Sequence, residues 1–201
     1  MTAHKPVGRG MTRPSLLPIS LVVSMSGNTR FASRGADRYG AGFPFQEPDM
    51  ADTPETLTLT LESGTVTIKL RPDLAPQHVA RIVELANDGF YDGVVFHRVI
   101  PGFMAQGGDP TGTGMHGSDK HPNLPAEFSK EPHVRGVASM ARAQSPNSAN
   151  SQFFICLDDA RFLDGQYTVW GEVTEGMEHV DALPKGEPPR SPGKIVSMRA
   201  A

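Results

Sequence analysis

Arg98 is the residue whose setting most suggests chemistry. It stands in the string Phe96-His97-Arg98-Val99-Ile100-Pro101-Gly102-Phe103-Met104-Ala105-Gln106-Gly107-Gly108-Asp109, a permanent cation among apolar groups. Guanidinium stays charged at every relevant pH and offers its donors in a planar fork. Alternation along a strand puts Phe96 on the face of Arg98 and turns His97 and Val99 to the other. Pro101-Gly102 then resets the parity, so that Met104 and Gln106 share a face. A fixed donor beside an apolar surface is equipped to meet an electron pair that develops during a reaction. Read structurally, the same residue is a partner in a surface ion pair.

Two further stretches carry the same mixture. From Ser139-Met140-Ala141-Arg142-Ala143 to Ser151-Gln152-Phe153-Phe154-Ile155-Cys156, the residues Phe153 and Ile155 suit a core, which turns Gln152 and Phe154 outward together. A large apolar group exposed beside a polar one marks a binding surface, unless a loop covers it. In Phe162-Leu163-Asp164-Gly165-Gln166-Tyr167-Thr168-Val169-Trp170-Gly171, the Asp164-Gly165 turn draws Phe162, Leu163 and Tyr167 close together.

Other candidate motifs fail on context. Gly112-Thr113-Gly114-Met115-His116-Gly117 matches a dinucleotide-binding pattern, but no buried strand leads into it, and Pro122 and Pro125 replace the helix that should follow. His116, His121 and His133 fall in loop without an acidic or cysteine cluster to complete a metal site, and read as solvated side chains. Cys156 on its strand has no evident histidine to activate it and reads as a small packed residue. The reading calls for no cofactor and no metal.

The elements that must position these residues begin at Leu57. Leu57, Leu59 and Leu61 alternate with Thr, then Ser63-Gly64, then Val66, Ile68 and Leu70, which predicts a hairpin. Val79, Ile82, Val83 and Ala86 lie at helical spacing, with Pro76 at the first turn and Gly89 at the end. Six more strands are expected at Val94 to Val99, Phe103 to Gln106, Val137 to Met140, Gln152 to Cys156, Thr168 to Val173 and Ile195 to Met198. Met177, Val180 and Leu183 suggest a second helix, started by Thr174 and stopped near Pro184. Strands without βαβ alternation imply a mainly β fold: a closed eight-stranded antiparallel barrel capped by two α-helices.

Two domains' worth of core is not expected from 201 residues. Residues 1–52 are polar, broken by Gly and Pro, and read as a disordered extension, with residues 53–201 as the folded domain. Met50-Ala51-Asp52 resembles a true start, so the extension is either untranslated or a processed leader. Residues 1–49 hold six of the 19 basic residues and three of the 22 acidic ones, which leaves the remainder with a net charge of −6. That sign repels a phosphate backbone, so nucleic acid is not an expected partner. No stretch reaches the roughly 20 apolar residues of a membrane span. A lone cysteine forms no internal disulfide. The chain is read as a cytoplasmic monomer, with export the alternative if the apolar run Leu16 to Met25 acts as a signal.

Over residues 55 to 200 the three stretches together closely resemble the cyclophilin family, and small bacterial cyclophilins in particular. The resemblance implies an eight-stranded barrel with two helices and a groove for an X-Pro dipeptide. It implies peptidyl-prolyl cis/trans isomerase activity, with Arg98 catalytic and Gln106 supporting it. Phe103, Met104, Phe154 and Leu163 would surround the substrate proline, Ala141 would touch the substrate across the groove, and the Gly112-Thr113-Gly114 turn would line its edge. At the rim, Phe162 stands where the best-known eukaryotic members have Trp, and Tyr167 where they have His. Phe162 lacks the indole donor, so cyclosporin binding is expected to be weak while proline binding survives. Proline-containing peptides and folding proteins are the implied partners. The rival reading is a module that holds proline segments as a chaperone or scaffold without turnover.

Overall fold

A computed structural model describes residues 54–201. The expected extension over residues 1–52 and the run Leu16 to Met25 lie outside the described residues.

The chain opens as a hairpin of β1 (Thr56–Leu61) and β2 (Gly64–Leu70), joined by a tight turn at Glu62 and Ser63. Period-two patterning buries Leu57, Leu59, Leu61, Val66, Ile68 and Leu70 on one face. Helix α1 (Pro76–Asn87) starts with a proline, whose missing N–H has no intrahelical acceptor to lose at that position. Its buried stripe of Val79, Ile82, Leu85 and Ala86 joins the core beside that hairpin. Then follow β3 (Arg98–Ile100), β4 (Met104–Gly107), β5 (Val137–Met140), β6 (Phe153–Cys156), a 3₁₀ turn at Arg161–Leu163, β7 (Val169–Glu175), α2 (Met177–Asp181) and β8 (Ile195–Ala200). Gly176, in the left-handed region, caps α2 in place of the expected Thr174.

Among the described residues the eight strands form one antiparallel sheet in the order β3-β4-β6-β5-β7-β2-β1-β8. The closed barrel expected from the pattern is not what forms. No ladder joins the edge strands β3 and β8; the segment before β3 is tied to the start of β8 and the residues before it by an isolated bridge between Val95 and Lys194 and by bonds such as Phe96 N–H to Gly193 O at 2.9 Å and Ile195 N–H to Val94 O at 2.9 Å. The strand expected over Val94 to Val99 breaks at Phe96 and His97, leaving a three-residue β3 whose outer edge is taken by Gly186. Phe96 is consequently not on the face of Arg98. It turns into the main core with Val99, its ring edge-on to Phe153 at 6.1 Å, so aromatic burial overrides the alternation.

Phe153 is the centre of that core. Its ring meets Tyr91, Phe96 and Trp170 edge-on at 5.6, 6.1 and 5.8 Å. On the other face of β4, β5 and β6 lies a separate cluster built from Met104, Val137, Ala141, Phe154, Cys156, Leu163, Tyr167 and Val169. Phe153→Ala removes the shared partner of three rings and is expected to cost about 3–5 kcal/mol of stability, measured by chemical denaturation; a loss below about 1 kcal/mol would mean that this core closes around the gap.

Candidate active site

Backbone register aligns the site. Arg98 pairs with Gln106, Gln106 with Phe154, and Phe154 with Ser139, one row across β3, β4, β6 and β5. The adjoining row of Val99, Ala105, Ile155 and Ala138 belongs to the main core. Alternation then turns the first row to the opposite face, where the second cluster lies. Arg98 has its side chain 24% exposed and donates from Nε to Glu187 Oε1 at 2.5 Å. The ion pair foreseen in the plain structural reading thus exists, at the margin of the apolar cluster. Among the described residues the two terminal guanidinium nitrogens have no hydrogen-bond partner.

Gln106, expected to support Arg98, stands opposite it in register, and the two side chains are not bonded to each other. A relay of amides explains where Gln106 is held. Gln152 Nε2 donates to the carbonyls of Gly114 and His116 at 3.1 and 2.8 Å, which leaves Gln152 Oε1 to accept from Gln106 Nε2 at 3.0 Å. That fixes the sense of the Gln106 amide. Its Oε1 is buried and has no partner among the described residues, an acceptor left open beside the strand that carries Arg98.

The residues expected around a proline do come together. Met104, Ala141, Phe154, Leu163 and Tyr167 are all members of the second cluster, with Phe103 packed against it. Phe162 joins through its ring, 5.3 Å from that of Phe103, and is half exposed at the rim. Gly165, at φ +68, completes the turn that places Leu163 and Tyr167. One expectation fails: Phe154 faces away from the main core as its parity requires, but it is 0% exposed. Tyr167 stands edge-on to it at 5.7 Å and His133 stacks against it at 6.3 Å. Both come from loops, so the strand pattern that sets the face says nothing of the cover. Arg142 lies 4.7 Å over the Tyr167 ring and pins that cover from outside.

His133 is the residue most misjudged from sequence. It is buried rather than solvated, with its backbone N–H and ring Nδ1 on Asp164 Oδ1 at 2.7 and 3.0 Å and its Nε2 3.1 Å from Ser139 Oγ. His121, also read as solvated, pairs with Glu84, and only His116 is exposed. Asp164, His133 and Ser139 have the residue types of a nucleophilic triad. Ser139, however, is 0% exposed and directs its Oγ at the Thr168 carbonyl at 2.8 Å, so it props the floor beneath Phe154. Burial lowers the His133 pKa, with Asp164 pulling the other way. It also pushes the Cys156 thiol up to about 12, consistent with a packed, inert residue. Glu187 had no signal in the sequence, since it lies far along the chain from Arg98 in a proline-rich loop.

Comparison with known proteins places these features in one group. The family model described as cyclophilin type peptidyl-prolyl cis-trans isomerase/CLD matches residues 56–200. A Brucella suis protein named probable peptidyl-prolyl cis-trans isomerase is 52% identical over 166 residues, covering 75% of this chain and 85% of its own. A Synechococcus elongatus peptidyl-prolyl cis-trans isomerase is 44% identical over 131 residues, covering 64% and 88%. Among solved structures, a cyclophilin from Hirschia baltica has a TM-score of 0.67 at 33% identity, covering 73% of this chain and 74% of that one. A cyclophilin type isomerase of Cryptosporidium parvum, solved in the presence of the dipeptide ala-pro, has a TM-score of 0.68 at 29% identity, covering 73% and 98%.

Because its folded pKa lies below its unfolded one, His133 is neutral in the fold while the unfolded chain takes up a proton as the pH falls below about 6.5. The stability that accompanies neutral His133 is therefore complete above that pH and declines on acidification. His97, also lowered by burial, acts in the same direction. Denaturant midpoints should fall between pH 7.5 and 5, and less steeply in His133→Gln; an unchanged slope in that variant would remove His133 as a source.

Proposed function

The chain belongs to the cyclophilin type peptidyl-prolyl cis-trans isomerase family, and we propose that it turns X-Pro peptide bonds where Arg98 borders the second apolar cluster. The observation that carries this reading is the placement of a cation with two unengaged nitrogens next to an open buried acceptor, Gln106 Oε1, on the edge of that cluster. Proline-containing peptides are its substrates, a reading supported by the solved relative studied with ala-pro.

The reaction makes and breaks no covalent bond. Resonance stiffens the C–N bond with a barrier of about 18–20 kcal/mol, and unaided exchange takes roughly tens to hundreds of seconds. As the bond twists, conjugation is lost, the prolyl nitrogen pyramidalises, and its lone pair becomes an acceptor that the planar amide lacks. A guanidinium N–H donated there binds the twisted state in preference to the planar one. A preorganised donor of this kind is worth about 2.7–4 kcal/mol. Phe103, Met104, Phe154 and Leu163 receive the ring and solvate the charge-separated planar amide poorly. If that adds about 2–3 kcal/mol, the total is roughly 10³ to 10⁵ in rate. Phe154, covered by Tyr167 and His133, forms the floor of that receiving surface. At the rim, Phe162 offers no N–H donor, which supports weak cyclosporin binding.

A second reading, a module that holds proline segments without turnover, is favoured by one observation, the engagement of Arg98 Nε by Glu187. Turnover on a short Ala-Pro peptide separates the two. Arg98→Ala should keep its fold and lose about a hundred- to a thousand-fold in kcat/KM in a protease-coupled or NMR exchange assay. Near-normal turnover would refute the role given to Arg98. Phe154→Ala should chiefly raise KM, and unchanged saturation would count against the ring-binding role of the cluster.

A further inference from the structure

The free edge of β3 is not bare. Gly186 exchanges both backbone hydrogen bonds with Val99, Val99 N–H to Gly186 O at 2.8 Å and Gly186 N–H to Val99 O at 2.9 Å, an isolated antiparallel bridge. In such a pairing the residue after Gly186 stands opposite the residue before Val99. Glu187 is therefore set against Arg98 by the backbone, and Arg98 lies between Gln106 on β4 and Glu187 on the other side.

Local chemistry keeps the segment there. Gly186 adopts φ +149, and a Cβ on it would come within 2.7 Å of Pro189 Cα and 2.9 Å of the Pro188 carbonyl oxygen. Only glycine fits that position. Pro188 and Pro189 fix their own φ angles immediately beyond it.

On these grounds we propose that Glu187 is a second seat for the Arg98 guanidinium, a carboxylate that holds Nε away from Gln106 and so withholds the cation from the reaction. This rests on the isomerase reading given above. Nε carries one hydrogen and serves one acceptor at a time. In the structure that acceptor is Glu187, which is 52% exposed, while the buried acceptor Gln106 Oε1 waits unpaired with its orientation fixed by Gln152. One seat is a solvated ion pair, weakened by salt and worth little. The other is a charge-assisted hydrogen bond to a buried neutral amide, which salt screens far less. Glu187 is a positioning residue: it touches Arg98, and it governs what share of the molecules have Arg98 in working position.

Kinetics of full-length wild type, E187A and E187Q on an uncharged Ala-Pro tetrapeptide test this directly. At about 20 mM salt both variants should show kcat raised about two- to five-fold with KM little changed, the range an exposed pair can bias. Raising salt should bring the wild type up toward the variants and leave the variants flat. The Arg98 ¹⁵Nε–¹Hε resonance should also move between wild type and E187A. If kcat in the variants is unchanged or lowered, or the salt response is the same with and without Glu187, the proposal is overturned. Should the wild type show no turnover at all, the isomerase reading fails first, and the resonance alone then decides: a shift in E187A supports the second seat and an unmoved signal overturns it.

Discussion

Hydrogen-bond register across β3, β4, β6 and β5 is the constraint on which the site depends. It fixes Arg98, Gln106, Phe154 and Ser139 in one line, and strands repeat about every 4.8 Å. Arg98 and Phe154 are thus two strand spacings apart, about 10 Å, with Gln106 between them. A slip of one residue anywhere in β4 would send Gln106 into the main core and Ala105 into the site. Burial of the adjoining row, Val99, Ala105, Ile155 and Ala138, makes that slip prohibitive. The packing that stabilises one face of the sheet is what holds the chemistry on the other.

Buried polar groups are compensated to different degrees along the chain. Asp109 shows one case. Its burial acts to raise its pKa, but hydrogen bonds from Thr111, Thr113 and the His116 N–H hold the carboxyl below the usual range and tie the 109–116 loop into one unit. Gln106 Oε1 is the second case, one of the few buried side-chain acceptors without a partner among the described residues. Such atoms are rare because leaving them unpaired costs free energy. This one lies on the strand that pairs with the strand of Arg98.

How far the sequence made this legible follows from what each signal measures. Alternation reads which face a strand residue takes, and it placed Phe153 in the core and Phe154 opposite. Cover comes from loops, whose paths carry no period, so the burial of Phe154 under Tyr167 and His133 was invisible. His133 itself looked solvated because the run from 114 to 133 reads as loop; its partners Asp164 and Ser139 belong to other segments. Barrel closure was misread because strand count carries no information on the edges: the expected strand breaks at Phe96 and His97, and Gly186 occupies the outer edge of β3. Met104, Ala141, Phe154, Leu163 and Tyr167, singled out with the help of a family resemblance, fall in one cluster, whereas Glu187, a contact across 89 positions made by one backbone bridge, had no such motif to announce it.

The amide relay from Gly114 and His116 through Gln152 to Gln106 takes hold of the loop by main-chain carbonyls alone. Each of those contacts is made by a backbone oxygen, so the exposed Met115 side chain between them takes no part in orienting the acceptor at the far end, whereas His116 also anchors the loop by its ring on Thr111 and Thr113.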